Sequence, residues 1–292
     1  MQQPFGHSVN VSISLARTWL SLGPGWAALA GALSTGQAGF ELPLLLQLAG
    51  LWLLADPVLG TLWELAVGQG LWRRFVQAQL PPPPSRGFYL PYAQPGSAAG
   101  RVVLRWRQVQ AWWREAFWPQ GADAVTAFGI SLILALLISF FLGPIIFGLT
   151  LLAIALTLFA GQTQPDLTTT GGGRLQSIVQ FLLPWLMGSL LWPAPAWPGL
   201  GLALCFWAIY LGGLRMQGDH ARAEIVFFLG QASTIGLLLA LRLLPGAALL
   251  SVLLIAQRLI LLKFNEPAEF LAKAQPYLVV GIIVTGIALG SL

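Results

Sequence analysis

The sequence predicts an all-α, polytopic membrane protein with about nine transmembrane helices and one amphipathic helix at the membrane surface. Three observations carry this prediction. Of the 292 residues, 57% are hydrophobic and 9% are charged, against about 25% charged in an ordinary soluble domain. Apolar segments recur along the whole chain, and arginines concentrate in alternate loops. Because lipid cannot satisfy open backbone polar groups, each long apolar segment should be a helix.

Nine apolar segments approach the length of about 20 residues that a membrane span needs. They are Thr18–Thr35, Leu42–Val67, Ala124–Leu142, Pro144–Ala160, Leu175–Trp192, Gly199–Leu214, Ile225–Leu243, Gly246–Leu262 and Pro276–Leu292. Gly143 and Pro144 predict a tight turn between the third and fourth segments, because Pro stops a helix and Gly permits the reversal. The whole chain, residues 1–292, is interpreted as a single transmembrane domain.

Basic residues orient this domain. The loop between the second and third segments, residues 69–121, carries Arg73, Arg74, Arg86, Arg101, Arg105, Arg107 and Arg114. Further loops on the same side carry Arg174, Arg215, Arg222, Lys263 and Lys273. The positive-inside rule then predicts a cytoplasmic N-terminus and a C-terminus on the opposite side, in a bacterial-type inner membrane. The same rule accounts for the net charge of +5 without a nucleic-acid partner.

The long loop has two parts. Residues 81–100 are rich in Pro, Gly and Ser and should lack regular structure. Residues 101–118 predict an amphipathic helix in the headgroup layer. Its apolar side is formed by Val102, Trp106, Val109, Trp113 and Phe117, and its polar side by Arg101, Arg105, Gln108 and Glu115. The helix is expected to anchor the chain to the membrane, with a lid over a polar cavity or a docking surface as alternatives.

Polar side chains within or beside membrane segments are candidates for function, because they are costly there. Asp56 and Glu64 are eight residues apart, about two helical turns, and should share a face. Glu64 and Asp219 stand at the cytoplasmic ends of their segments and could form a two-carboxylate magnesium site across one cavity. Glu224 is a further metal-ligand candidate, and Asp56 and His220 are further cavity candidates.

Arginines near these carboxylates allow two interpretations. Arg73, Arg74, Arg215 and Arg222 could clamp the phosphate oxygens of a diphosphate. Alternatively, Glu64 and Asp219 could simply form ion pairs with Arg215 and Arg222. His220 has no second histidine or cysteine nearby, which disfavours zinc. Gly171, Gly172 and Gly173 lack the Lys-Ser/Thr of a phosphate loop and predict a flexible turn.

Two short stretches resemble the motifs of the UbiA superfamily of intramembrane prenyltransferases. The first family motif is Asn, three residues, Asp, three residues, Asp, and the matching stretch here is Gly60-Thr-Leu-Trp-Glu64-Leu-Ala-Val-Gly68. The second, commonly Asp, three residues, Asp, aligns with Arg215-Met-Gln-Gly-Asp219-His220. Arg17-Thr-Trp-Leu near the start and Asn265-Glu-Pro-Ala-Glu-Phe-Leu before the last segment also resemble family members.

The resemblance implies a nine-helix UbiA-like bundle with the N-terminus inside. It also implies magnesium-dependent transfer of an isoprenoid from its diphosphate to an aromatic or tetrapyrrole acceptor. The chain departs from the family at the metal ligands, because the first motif keeps only Glu64 and the second begins with Arg215. We therefore expect a degenerate member that binds an isoprenoid, quinone or pigment, or acts as an accessory subunit or assembly factor among other membrane subunits. An active magnesium-dependent prenyltransferase is the alternative, and a transporter is disfavoured because no internal repeat is visible.

Overall fold

The computed structural model describes residues 22–39, 41–68, 97–114, 118–163, 170–192, 197–217, 222–264 and 266–292. In these ranges the regular structure is helical throughout, which confirms the predicted all-α class. The helices are α1 (Pro24–Leu33), α2 (Leu42–Gly68), α3 (Ala98–Trp112), α4 (Trp118–Leu142), α5 (Pro144–Thr163), α6 (residues 170–189), α7 (Trp197–Gln217), α8 (Ala223–Ala240), α9 (Leu244–Lys263) and α10 (Pro267–Gly290). Short π-helical turns interrupt α2 at Leu54–Val58 and Glu64–Gly68, and α6 at Ile178–Leu182.

Seven of the described helices are long and apolar enough to cross a membrane: α2, α4, α5, α7, α8, α9 and α10. They define an integral membrane protein. The short α1 and the Gly-rich, Arg174-containing α6 correspond to the first and fifth predicted segments but are not among the seven. The count of nine spans therefore stays a prediction.

The turn between α4 and α5 is confirmed. The α4 helix ends at Leu142, Gly143 adopts a φ of +123°, and α5 begins at Pro144. A residue with a side chain would be strained at this φ, whereas glycine is not. Pro144 then occupies the first helical position, where its missing N–H costs nothing.

Two predictions of local structure are wrong. The last helix begins at Pro267 and contains Pro276 in its interior, so the predicted start of the last segment at Pro276 is wrong. Pro267 already provides the favoured proline of a helix start, and α10 continues through the second proline. Gly171 to Gly173, predicted as a flexible turn, belong to the helical stretch Thr170–Ser177 of α6. That stretch packs against α7, and such tertiary packing overrides the low helix propensity of glycine.

The bundle has two main hydrophobic cores. One is built mainly by α2, α4 and α5, and the other by α7, α8, α9 and α10. Helices α1 and α6 lie between them and present different faces to each. The first core receives Ala28, Ala32, Leu183 and Met187, and the second receives Ala27, Ala30, Phe181 and Trp185. These two helices thus join the two halves.

The contact between α1 and α6 depends on glycine. A Cβ added to Gly188 of α6 would overlap the carbonyl oxygen of Ala28, and one added to Gly31 of α1 would overlap the carbonyl oxygen of Trp185. The two backbones therefore touch directly. Such close approach through small residues is a common way for membrane helices to associate.

The first and last described helices also pack together. The backbone N–H of Leu22, just before α1, donates a hydrogen bond of 2.6 Å to the side-chain oxygen of Gln275 in α10. At the other end of these helices, Gly36 lies against the backbone of Gly290. The α1–α2 turn and the end of α10 therefore lie at the same end of the bundle.

The α3 helix corresponds to the predicted amphipathic segment. Its first turn is capped by Ser97, whose hydroxyl accepts a hydrogen bond of 2.9 Å from the Gly100 N–H. None of its residues is buried, and the predicted apolar side chains Val102, Trp106, Val109 and Trp113 are 43–70% exposed. Residues 81–96 of the Pro-rich segment and residues 115–117 lie outside the described residues.

Candidate functional site

The stretch that resembles the first family motif forms the end of α2. Glu64 opens a π-helical turn that ends at Gly68, and its side chain is exposed. A Cβ added to Gly68 would lie 2.5 Å from Glu64 Oε1, whereas one added to Gly60 would meet nothing within 4 Å. The Glu64 carboxylate therefore occupies the space in which a side chain at position 68 would begin.

Asp56 lies in a different environment from Glu64. It is half-buried in the π-helical turn Leu54–Val58, where Pro57 interrupts the α-helical hydrogen bonding. A Cβ added to Gly25 of α1 would approach the Asp56 Cβ to 3.0 Å. Asp56 thus belongs to the contact between α1 and α2, about 12 Å along the helix from Glu64 at 1.5 Å per residue.

The stretch that resembles the second motif begins on the last turn of α7 with Arg215. The Arg215 side chain is half-buried, and its Nε atom is fully buried without a hydrogen-bond acceptor in the described part of the chain. Arg222 is exposed and precedes α8. The candidates Arg73, Arg74, Asp219 and His220 lie outside the described residues.

Glu224 is bound by an arginine from the neighbouring helix. Arg258 Nη1 of α9 donates a hydrogen bond of 2.8 Å to Glu224 Oε1 of α8, and the two side chains are 50% and 48% exposed. The guanidinium carbon of Arg258 also lies 3.4 Å from the centroid of the Phe228 ring. The carboxylate proposed as a metal ligand is therefore engaged in an ion pair between α8 and α9.

The first motif-like stretch and the described start of the second, Arg215 to Gln217, lie on helices of different cores. The α2 helix packs mainly against α1, α4 and α5, whereas α7 packs against α6, α8 and α10. Glu224 pairs with Arg258, and the described residues Glu64 and Arg215 form no ion pair with each other. The described part of the chain contains no group of three or more His, Cys, Asp or Glu side chains suited to a metal ion.

A second candidate site is a pocket between α7, α8, α9 and α10. It is lined by Phe206, Ile209, Gln231, Thr234, Ile235, Leu250, Leu253, Gln257, Tyr277, Leu278 and Gly281. Its empty space is about 300 Å³ when the open mouth is included. The enclosed part has room for about one water-sized group.

Two glutamines form the polar wall of this pocket. Gln231 Nε2 of α8 donates a hydrogen bond of 2.8 Å to Gln257 Oε1 of α9. The two residues are only 7% and 2% exposed. They lie about 12 Å and about 9 Å from the nearer helix ends, given the helix bounds and the helical rise. The charged residues of the sequence do not point to these glutamines, although a glutamine inside an apolar span is itself a sign of a polar contact.

A separate network of side-chain hydrogen bonds joins α6 to α7. Gln180 Oε1 accepts hydrogen bonds from the Tyr210 hydroxyl at 3.0 Å and from Gln176 Nε2 at 3.1 Å. Trp207 Nε1 donates to the Ser177 hydroxyl at 2.9 Å. This network stabilises the contact of the two helices.

No known protein family, curated protein or solved structure matches the chain.

Proposed function

We propose that the chain is a divergent UbiA-like membrane protein of nine spans, catalytically degenerate, that binds an isoprenoid, quinone or pigment. In this capacity it would serve as an accessory subunit or assembly factor of a membrane complex. The observation that carries the proposal is the loss of acids from the first motif, in which Glu64 stands between Gly60 and Gly68. The seven long apolar helices, with α1 and α6 at the places of the first and fifth predicted segments, support the nine-span arrangement.

The described residues do not fit the magnesium chemistry of the family. Mg²⁺ bound to a diphosphate is held by carboxylates near the phosphate oxygens. Here Glu64 is the acid of the first motif, Glu224 is paired with Arg258, and Arg215 brings a positive charge to the start of the second motif. A guanidinium repels a metal cation, and this repulsion is weakly screened inside a membrane.

We further propose that the protein lies in a bacterial-type inner membrane with its N-terminus in the cytoplasm. The support is the arginine asymmetry of the loops. The exposed apolar and aromatic face of α3 fits a position in the cytoplasmic headgroup layer.

The test is binding of a long-chain isoprenoid diphosphate analogue to the purified protein, with and without Mg²⁺. We expect no magnesium-dependent binding by the native chain. The variant Gly60→Asn, Glu64→Asp, Gly68→Asp, Arg215→Asp should gain it, because it restores the acids and removes the competing cation. Native binding that requires magnesium and is lost in both Glu64→Gln and Asp219→Asn would overturn the degenerate assignment.

The second candidate is an active prenyltransferase with a reduced metal site. The observation in its favour is the buried Nε of Arg215, which has no acceptor among the described residues and would be satisfied by a phosphate oxygen. Arg215→Lys separates the two candidates, since lysine lacks the fork of donors that binds two oxygens at once. A weakened diphosphate affinity in this variant, together with product formation by the native chain, would favour the enzyme.

A further inference from the structure

We propose that the pocket between α7, α8, α9 and α10 binds the head of an uncharged, hydroxyl-bearing lipid of the prenylated phenol or hydroquinone class. This inference deepens the proposed function, on which it rests for the isoprenoid character of the ligand. It places the ligand against residues other than those of the two motif-like stretches. Three features of the pocket support this assignment: its unmet hydrogen-bonding capacity, its lack of charge and its shape.

The glutamine pair leaves polar atoms without partners. The hydrogen bond between Gln231 Nε2 and Gln257 Oε1 uses one donor and one acceptor. Within the described residues, neither Gln257 Nε2 nor Gln231 Oε1 has a further partner, although both side chains are more than nine-tenths buried. Both residues line the pocket, and neither of these two atoms is among the fully enclosed unpaired atoms of the described residues. Polar groups left unpaired at such depth are costly, so a bound partner would stabilise them.

A hydroxyl group is the complement of this pair. Its oxygen can accept a hydrogen bond from Gln257 Nε2 while its hydrogen is donated to Gln231 Oε1. A carbonyl oxygen can only accept, and it would leave Gln231 Oε1 unpaired. If the oxygen and nitrogen of both glutamine amides are exchanged, the hydrogen bond between them reverses. One amide N–H donor and one amide oxygen are again left over, so a hydroxyl remains the complement.

The lining of the pocket favours a ligand with an uncharged head group. Its described lining contains no Asp, Glu, Lys, Arg or His side chain, and its other polar groups are the Thr234 and Tyr277 hydroxyls. The Thr234 hydroxyl already donates to the Gly230 carbonyl at 2.9 Å. A diphosphate would lack any countercharge here, and burying an unpaired charge is strongly unfavourable. A phenolic hydroxyl carries no such penalty.

The shape of the pocket fits a small head with an apolar body. The enclosed part accommodates about one hydroxyl, and most of the remaining lining is apolar, including Phe206, Ile235 and Leu253. On the outer face of α9, Val252 and Ile255 are 61% and 60% exposed, as expected of side chains that face lipid. A tail that leaves the pocket beside α9 would therefore enter the hydrocarbon of the membrane.

The experiment measures equilibrium binding of a hydroquinone with a two-isoprene tail to the purified full chain in nanodiscs. The matched quinone and the tail hydrocarbon without the ring serve as comparison probes. We expect the hydroquinone to bind about tenfold more tightly than the quinone, from one additional satisfied hydrogen bond at a buried site. Gln257→Met and Gln231→Met should each weaken hydroquinone binding about tenfold. Gln176→Met, a Gln change at a part-buried site on α6 outside the pocket, should leave it unchanged.

The double variant Gln231→Met, Gln257→Met provides a control for folding. Replacing both hydrogen-bonded partners by apolar side chains of similar size removes the unpaired groups. Its thermal unfolding midpoint without ligand should therefore equal or exceed that of the native chain, while hydroquinone binding is lost. If this folded variant still binds the hydroquinone as tightly as the native chain does, the pocket is not the binding site, and the proposed function is unaffected. If the native chain binds none of the three probes, the result counts against both the pocket assignment and the proposed function.

Discussion

At the residue scale, Arg258 illustrates how one side chain can serve two contacts. Its guanidinium bonds Glu224 at 2.8 Å and lies 3.4 Å above the Phe228 ring, and both partners come from α8. A cation over an aromatic ring adds about 0.5–1 kcal/mol at an exposed site, similar to an exposed ion pair. Both side chains of the ion pair are about half exposed, so the ion-pair contribution is screened by salt.

Arg258→Met should therefore destabilise the fold more than Glu224→Gln does. We expect a loss of about 1 kcal/mol for the first and about 0.5 kcal/mol or less for the second, because Glu224→Gln keeps the cation above Phe228. The free energies of unfolding are compared in mild detergent at low salt and at about 0.5 M salt. High salt should reduce only the ion-pair part, and equal effects of the two substitutions would contradict the role of the ring.

The sequence shows which charged and polar residues lie in or beside the spans, but it does not show which residues they contact. Glu224 is an acid at the end of a predicted span, and the sequence therefore makes it a candidate metal ligand. Its actual partner, Arg258, is 34 positions later and reaches it only because α8 and α9 pack side by side. The glutamine pair of the pocket depends on the same packing, so its hydrogen bond could not be read from residue spacing along the chain.

At the scale of helices, apolar length and glycine–proline boundaries predict most of the elements. Gly143 and Pro144 correctly separate α4 from α5, because the conformations of these two residues are locally determined. Pro276 misleads, since a proline can also lie inside a long membrane helix when neighbours accommodate it. The direct backbone contact of α1 with α6 could not be predicted, because glycines are frequent and their partners depend on the fold.

Gly188→Ala should separate α1 from α6 and destabilise the protein. The new Cβ would overlap the Ala28 carbonyl oxygen, which is backbone and cannot turn aside. Overpacking of this kind costs about 1–3 kcal/mol. The matched control is Gly236→Ala in α8, where an added Cβ meets nothing within 4 Å.

The control should be neutral or slightly stabilising, since alanine favours the helix by about 0.5–1 kcal/mol over glycine. Thermal unfolding of the two variants, followed by circular dichroism, provides the comparison. Equal unfolding midpoints for Gly188→Ala and the native chain would mean that the two helices are not in direct backbone contact.

At the scale of the whole molecule, the helices divide into two packed halves joined by α1 and α6. Composition predicts the membrane location, because so few charges are spread over so long a chain. It cannot predict the division into halves, which depends on which apolar faces meet. The motif-like stretches have the same limit: they can be found in the sequence, but the sequence does not show that α2 and the end of α7 belong to different cores.

The proposed orientation can be tested with single cysteines, because Cys205 is the only one in the chain. In a Cys205→Ala background, Gln37→Cys should lie outside and Glu266→Cys inside. Both positions are exposed and stand at opposite ends of the bundle, between α1 and α2 and before α10 respectively. A membrane-impermeant maleimide added to intact spheroplasts should label Gln37→Cys and spare Glu266→Cys. Inverted vesicles should show the reverse, and the opposite pattern would refute a cytoplasmic N-terminus.

The pairing of α1 with α10 has a consequence for biosynthesis. The hydrogen bond from Leu22 to Gln275 spans 253 positions, so the earliest described helix cannot acquire its final neighbour until the latest one has been translated. At about 5–20 residues per second, this interval is about 10–50 s. During this interval, the face of α1 that will pack against α10 is exposed to lipid or to an insertase. This face is rich in small residues. A ribosome that stalls before α10 would release a chain whose first helix has lost that neighbour, and membrane quality control would act on such a chain.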